Sequence, residues 1–256
     1  INVITKKERI ENSFSIKLNL RNSKSEYINN VNKIKERIFR GDCYEMNFFF
    51  DLFSEYDKIN PYYTYIKLND YTKSPMSSFL KVNDLFLISS SPERFLSKNG
   101  EHILSQPIKG TAKRGDSPEE DEKNIRELLS SPKELSENHM IVDLVRNDLS
   151  RIAKKGSVKV KGLNTLKTFK RVHQLISTIE AKVSSKLKLS QILEGTFPMG
   201  SMTGAPKIES MNIIDEFEST KRGLYSGSVG YIDPEMDFDF NVVIRSIVYS
   251  LSLIHI

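Results

Sequence analysis

Apolar positions recur along the chain with two periods, and each period predicts an element. Tyr27, Val31, Ile34 and Ile38 fall at helical spacing behind the capping pattern Ser23-x-x-Glu26, with Gly41 as a stop. Residues 44–53 are rich in aromatics and predict a strand. Residues 84–90 and 101–108 predict two more, with the turn Lys98-Asn99-Gly100 between them. Ser117-Pro118-Glu119-Glu120 and Ser131-Pro132-Lys133-Glu134 each combine a cap, a first-turn proline and an acid, and so open helices. The second helix runs through Leu135, Ile141, Leu144, Val145 and Leu149.

Residues 158–160 and 169–179 are apolar, without a period that separates strand from helix. Pro206 starts a further helix, with Ile208, Met211, Ile214 and Phe217 expected inward. Residues 225–232 and 238–249 predict a hairpin about Asp233-Pro234-Glu235. On its second strand Phe238, Phe240, Val242 and Ile244 would face one way, and Asp239, Asn241 and Arg245 the other. Helices and strands intermix without a regular βαβ alternation, which predicts an α+β fold.

Composition narrows the class. The 256 residues allow one large or two modest domains, and 28% charged with 38% hydrophobic residues exclude a disordered or membrane-embedded chain. No run approaches the ~18 apolar residues of a membrane span, and no signal-peptide pattern opens the chain at Ile1. The single cysteine, Cys43, can form no internal disulfide, which fits a reducing cytoplasm. The net charge of +5, from 38 basic and 33 acidic residues, suits an anionic ligand. The cations are spread along the chain rather than blocked, which disfavours nucleic acid as a partner.

Five stretches hold candidate chemistry. In Gln106-Pro107-Ile108-Lys109-Gly110-Thr111-Ala112-Lys113-Arg114-Gly115, Lys109 is either a solvated charge or an amine placed to react. Desolvation and nearby cations such as Lys113 and Arg114 would favour its neutral form. Glu93, in Ser91-Pro92-Glu93-Arg94, follows an apolar strand; burial would suit it to proton donation, and an ion pair with Arg94 is the plain alternative. Glu134 and Glu137 share a helix face and could offer hard oxygens to magnesium, although acids near a helix start are favoured anyway. Gly200-Ser201-Met202-Thr203-Gly204-Ala205-Pro206-Lys207 puts small residues before a helix start, where main-chain N–H groups can meet an anion, or is an ordinary entry loop. His173, in an apolar segment, reads locally as a satisfied core histidine.

Taken in order, SPERFL, QPIKGTAKRG, KELSENHMIVDLVRNDL, GTFPMGSMTGAPKIESM and LYSGSVGYID resemble the chorismate-utilising enzymes. That family includes the large subunits of anthranilate synthase, component I of aminodeoxychorismate synthase, and the isochorismate and salicylate synthases. The resemblance implies antiparallel β-sheets packed as a sandwich with helices outside, truncated here at both ends. It runs from about Ser25 to Tyr249 and divides the chain into three: 1–24, a remnant of the family's amino-terminal segment; 25–249, an incomplete chorismate-binding catalytic domain; and 250–256, a tail outside the resemblance. The lysine in the PIKGT turn resembles the aminodeoxychorismate-forming branch, where anthranilate- and isochorismate-forming relatives carry alanine.

The implied roles follow residue by residue. Lys109 adds to ring carbon C2 of chorismate, while Glu93 protonates the departing C4 hydroxyl; ammonia then adds at C4 and expels the lysine. Magnesium holds the ring carboxylate, with Glu137 as ligand and Glu134 beside it. Tyr225 and Arg245 bind the enolpyruvyl carboxylate, while Gly110, Thr111, His173, Thr203 and Gly204 line the substrate. Glu45 stands where water-adding relatives place a general-base lysine. With no glutaminase Cys-His site in the chain, ammonia is implied to come from a separate glutamine amidotransferase subunit. Anthranilate formation, or an inactive fragment, is the alternative.

Overall fold

The computed structural model describes residues 16–55, 58–250 and 253–255. The expected 1–24 segment therefore lies mostly outside the described residues, as do residues 251, 252 and 256 of the expected tail. Among the described residues the strands form two large antiparallel sheets, with helices packed against them. The six-stranded sheet runs in the order β1 (Asn19–Leu20), β3 (Leu52–Glu55), β15 (Leu253–His255), β14 (Ser246–Ser250), β5 (Leu85–Ser91) and β4 (Met76–Val82). The seven-stranded sheet runs β12 (Gly230–Ile232), β13 (Phe238–Asn241), β6 (Arg94–Asn99), β7 (His102–Gln106), β10 (Val172–Lys182) and β8 (Ile108–Lys113), with β9 (Lys159–Thr168) also on β10. A two-residue pair, β2 (Glu45–Met46) with β11 (Gly204–Ala205), stands apart from both.

Local chemistry explains the helices. Helix α1 (Lys24–Phe39) opens on the expected capping box: the Ser23 side chain accepts from the Glu26 N–H, and Glu26 reaches back to Ser23. Helix α2 (Pro61–Thr72) has an Asn60 cap and a first-turn proline. Helices α3 (Pro118–Ser130) and α4 (Pro132–Ser150) start at Ser117 and Ser131, as their sequences predict. On α4 the buried residues Asn138, Ile141, Val142, Val145, Asp148 and Leu149 form one helical stripe. That stripe, with α5 (Leu189–Thr196), meets Phe95, Ile103, Ile179, Ala181 and Phe238 of the second sheet to form the main core. Each large side chain fully buried there contributes about 1.5–3 kcal/mol.

Three expectations are corrected. The 44–53 stretch is not one strand: β2 pairs with β11 while β3 pairs with β1, and the chain between them joins neither ladder. The hairpin about Asp233 exists, but only β12 and β13 form it; after Val242 the chain leaves for the six-stranded sheet, passing Arg245 at φ +50°. Asn241 fastens this crossing, donating from Nδ2 to the Met76 carbonyl at 3.0 Å. Helix α6 (Lys207–Phe217) packs Phe217 against the core as expected, but its buried positions otherwise fall on a different face. Ser210 and Ile213 are fully buried, while Ile208 is 77% exposed and Met211 half-exposed. The small Ser210 lets α6 approach β2, where Ile213 joins Ile34 and Cys43.

Candidate active site

Strand β8 carries Lys109 through an irregular stretch of its ladder with β10. Thr111 pairs with Gln174 and Ile108 with Ile176, so Lys109 and Gly110 together oppose Leu175. Such a bulge re-aims side chains. Gly110 sits at φ +86°, and a Cβ there would stand 3.2 Å from Leu128 and Leu175 and 3.3 Å from Glu134 Oε2. Only glycine suits both the angle and the space. Lys109 reaches β2, where Nζ donates to Glu45 Oε1 at 2.7 Å; the two side chains are 18% and 15% exposed. The expected cationic neighbour Arg114 instead pairs with Asp121 at 2.8 Å, so sequence proximity misplaced the electrostatics around Lys109.

Glu93 follows β5 and is 4% exposed. It does not pair with Arg94, which donates to Asp239 from Nε and Nη2 at 2.8 and 3.0 Å. Burial pushes the Glu93 carboxyl up to about 7, against hydrogen bonds from Ser201 and the Ile108 N–H and the cations Lys109 and Arg245. The carboxyl is therefore placed to keep a proton near neutrality, as the sequence predicts. Its neighbours put it in one corner with the lysine bulge and the Gly200–Met202 turn.

Glu134 continues the inward stripe of α4 one turn before Asn138, which brings it to Gly110. Glu137 lies on the shoulder of that stripe, 32% exposed, with Lys133 Nζ at 3.7 Å. Among the described residues no three metal-capable side chains gather. Magnesium needs only one or two protein carboxylates, with water and substrate oxygens completing its shell, so this pair of hard donors fits that ion.

The 200–207 loop serves the protein's own packing. A Cβ on Gly200 would meet Leu144 at 2.7 Å, and one on Gly204 would lie 2.1 Å from the Glu45 carbonyl oxygen. The Thr203 hydroxyl donates to the Met199 carbonyl at 3.0 Å, closing the turn. Helix α6 begins at Lys207, with Pro206 as its cap. Ser201, rather than an open row of N–H groups, supplies the polar contact to Glu93.

Two anchors escaped sequence reasoning. Lys207 donates to the buried Asp148 at 2.6 Å, tying α6 to α4. Arg222 donates to Glu218, to the Met202 carbonyl and, at 2.7 Å, to the Asn47 carbonyl, with its guanidinium 5.5 and 5.8 Å from the ring centres of Phe49 and Tyr225. Their charges are common in sequence, and only the tertiary fold selects these partners.

His173 is fully buried, with Nδ1 2.9 Å from Thr168 Oγ1 and Nε2 2.8 Å from Asp121 Oδ1. Both ring nitrogens have partners within the protein, the arrangement the local reading of a core histidine describes. Its neighbour Gln174 is 1% exposed, donates to Thr111 Oγ1 at 3.2 Å, and keeps Oε1 without a protein partner. Tyr225 stacks on Phe49 at 4.6 Å. With Arg245 it lines a mainly apolar cavity of about 910 Å³, which Lys109, Glu93 and Glu134 do not border. Arg245 links the two regions: it lines the cavity, while its charge acts on Glu93.

The chain is similar to several known proteins. The component 1 of aminodeoxychorismate synthase from Escherichia coli K12 is 38% identical over 88% of this chain and 49% of its own length. That from Bacillus subtilis 168 is 38% identical over 85% and 46%. The crystal structure of anthranilate synthase component I from Streptococcus pneumoniae superposes with a TM-score of 0.84 at 29% identity, covering 94% of this chain and 53% of that one. The chain thus spans about half the length of these relatives. The family described as chorismate binding enzyme matches residues 3–256, and the chain belongs to it.

Proposed function

We propose that the protein acts as component 1 of an aminodeoxychorismate synthase, converting chorismate and ammonia to 4-amino-4-deoxychorismate. The observation that carries this reading is Lys109: a mostly buried amine, re-aimed by a glycine bulge, in one corner with the buried acid Glu93. In this reading the Lys109 nitrogen bonds C2 of the ring, the C4–O bond breaks, and Glu93 gives its proton to the departing hydroxyl, which leaves as water. Ammonia bonds C4, and the C2–N bond to Lys109 breaks. Gly110 keeps the bulge open, and Thr111 holds Gln174 beside it. Arg245 and Tyr225 offer a cation and an aromatic wall to the enolpyruvyl carboxylate; Thr203 and Gly204 shape the loop behind. Glu137 and Glu134 would hold magnesium, which supplies charge neutralisation for the ring carboxylate.

Ammonia would come from a glutamine amidotransferase subunit, which fits the "component 1" in the relatives' names. No described helix is long and apolar enough to cross a membrane, and the free Cys43 is buried, which supports a cytoplasmic setting.

The test incubates the full-length protein with chorismate, ammonium and magnesium. Aminodeoxychorismate should form, Lys109→Ala should form none, and trapping should add the ring mass to the Lys109 peptide. Pyruvate and a fluorescent product would instead identify an anthranilate former. Unaltered turnover in Lys109→Ala would reject the lysine route.

A further inference from the structure

The pairing of Lys109 with Glu45 raises a question that the lysine route alone leaves open. An ammonium cannot attack carbon, yet Nζ here donates to a carboxylate at 2.7 Å. Something must take its proton while the adduct exists and return it when the amine leaves. Glu45 is in contact with that nitrogen, and the same carboxylate has a second anomaly. Its Oε2 is buried with no hydrogen-bond partner. An ionised carboxylate accepts several hydrogen bonds, and a buried one left short is destabilising.

The backbone around Glu45 is fixed from both sides. Ala205 pairs with Glu45 in the short ladder, and the Tyr44 and Asn47 N–H groups each donate at 2.7 Å, to the Ala205 and Thr203 carbonyls. Gly204 lies against the Glu45 carbonyl so closely that any side chain there would displace it. The carboxylate is thus held by a braced strand, aimed at one amine, with an acceptor oxygen in reserve.

We propose that Glu45 is the acid–base partner of Lys109. This rests on the lysine-adduct reading and adds a catalytic residue to it. Glu45 takes one proton from the Lys109 ammonium, freeing the lone pair that bonds C2. The protonated carboxyl persists through the lifetime of the adduct. When ammonia bonds C4 and the C2–N bond breaks, the amine leaves neutral and Glu45 returns the proton. The C4 ammonium so formed gives up one proton, which resets Glu93. The sum is chorismate plus ammonia going to the amino compound plus water, with both acids restored. Glu45 Oε2 is the acceptor that an incoming N–H of ammonia would fill.

The test has two arms on the full-length protein, using wild type, Glu45→Gln and Glu45→Asp. In the first, trace acetic anhydride labels lysines at pH 7.5, and the Lys109 peptide is compared by mass spectrometry with exposed Lys161. Removing the counter-charge in Glu45→Gln should raise Lys109 labelling about tenfold, with Lys161 unchanged and Glu45→Asp between. In the second, turnover with chorismate and ammonium should fall about 100-fold or more in Glu45→Gln, in kcat rather than in KM for chorismate, with partial return in Glu45→Asp. Equal labelling in all three proteins, or unchanged turnover in Glu45→Gln, overturns the proposal. If the wild type makes no product while Lys109 labelling still follows residue 45, the chorismate reading fails and the paired amine stands.

Discussion

Two polar clusters lie along the β8–β10 strand pair, one around the buried His173 and one around the buried Glu93, and their hydrogen bonding differs. At the α3 end, His173 has both ring nitrogens engaged. Asp121 accepts from Arg114 at 2.8 Å, from the Gly115 N–H at 2.7 Å and from His173 at 2.8 Å. The Arg114 guanidinium, with the other donors, holds its carboxyl well below the usual range. At the bulge end, Glu45 Oε2 has no partner and desolvation pushes Glu93 up to about 7. Each cluster holds a residue that the family resemblance implied for the site, His173 at one end and Lys109 with Glu93 at the other. The first pairs its polar atoms within the fold, and the second holds a buried acceptor oxygen without a protein partner, which is the contrast the proposed lysine chemistry rests on.

Removing the bulge-end acid should give the largest effect. Glu93→Gln keeps the shape but has no carboxyl proton to give, and should lower kcat about 10²–10⁴-fold. The wild type should lose activity as pH rises through about 7, where the carboxyl ionises, and the variant should lack that limb. Stability carries the matching sign. A carboxyl raised from 4.5 to about 7 contributes most below pH 4.5 and loses that contribution as pH rises through 7. Glu93→Gln should therefore melt above the wild type at pH 8, with the gap closing at pH 4. A gap independent of pH would show a solvated carboxyl and remove the contrast between the clusters.

At the other end the sign reverses. Asp121 is lowered by its donors, so its contribution is present above its ordinary value of 3.8 and is lost as pH falls below it. Asp121→Asn should lower the thermal midpoint by several degrees at pH 7 and by roughly half as much at pH 2.5. Turnover per folded molecule should hold. A loss of kcat with no change in midpoint would place Asp121 in the chemistry instead.

What the sequence revealed follows the range of the forces involved. The caps of α1, α3 and α4 were legible because a serine and an acid within four residues decide them, with a first-turn proline as well in α3 and α4. Lys109, Glu93 and Glu134 were legible as motif positions. Their partners were not, since Lys109 and Glu45 lie 64 residues apart and Arg222 reaches Asn47 across 175. The α6 face was misread because Ser210, polar in a pattern, is small enough to pack. The hairpin from 238 was overextended because alternation continues past Val242, while the strand's partner changes from β6 to β5.

The smallest substitution addresses the comparison most directly. Thr168→Val exchanges a hydroxyl for a methyl and leaves His173 Nδ1 without its partner in a fully buried site. The loss should be about 1 kcal/mol, read as a fall of roughly 2–4 °C in the thermal midpoint. Since His173 presents neither nitrogen to a ligand, kcat and the KM for chorismate should stay at wild-type values. Lys109 labelling should not move either, because its charge partner is Glu45 on a different strand. If KM rises severalfold while the midpoint holds, His173 reaches the substrate after all. The two ends of the strand pair would then form one site, and the distinction between saturated and reserve acceptors would no longer separate brace from chemistry.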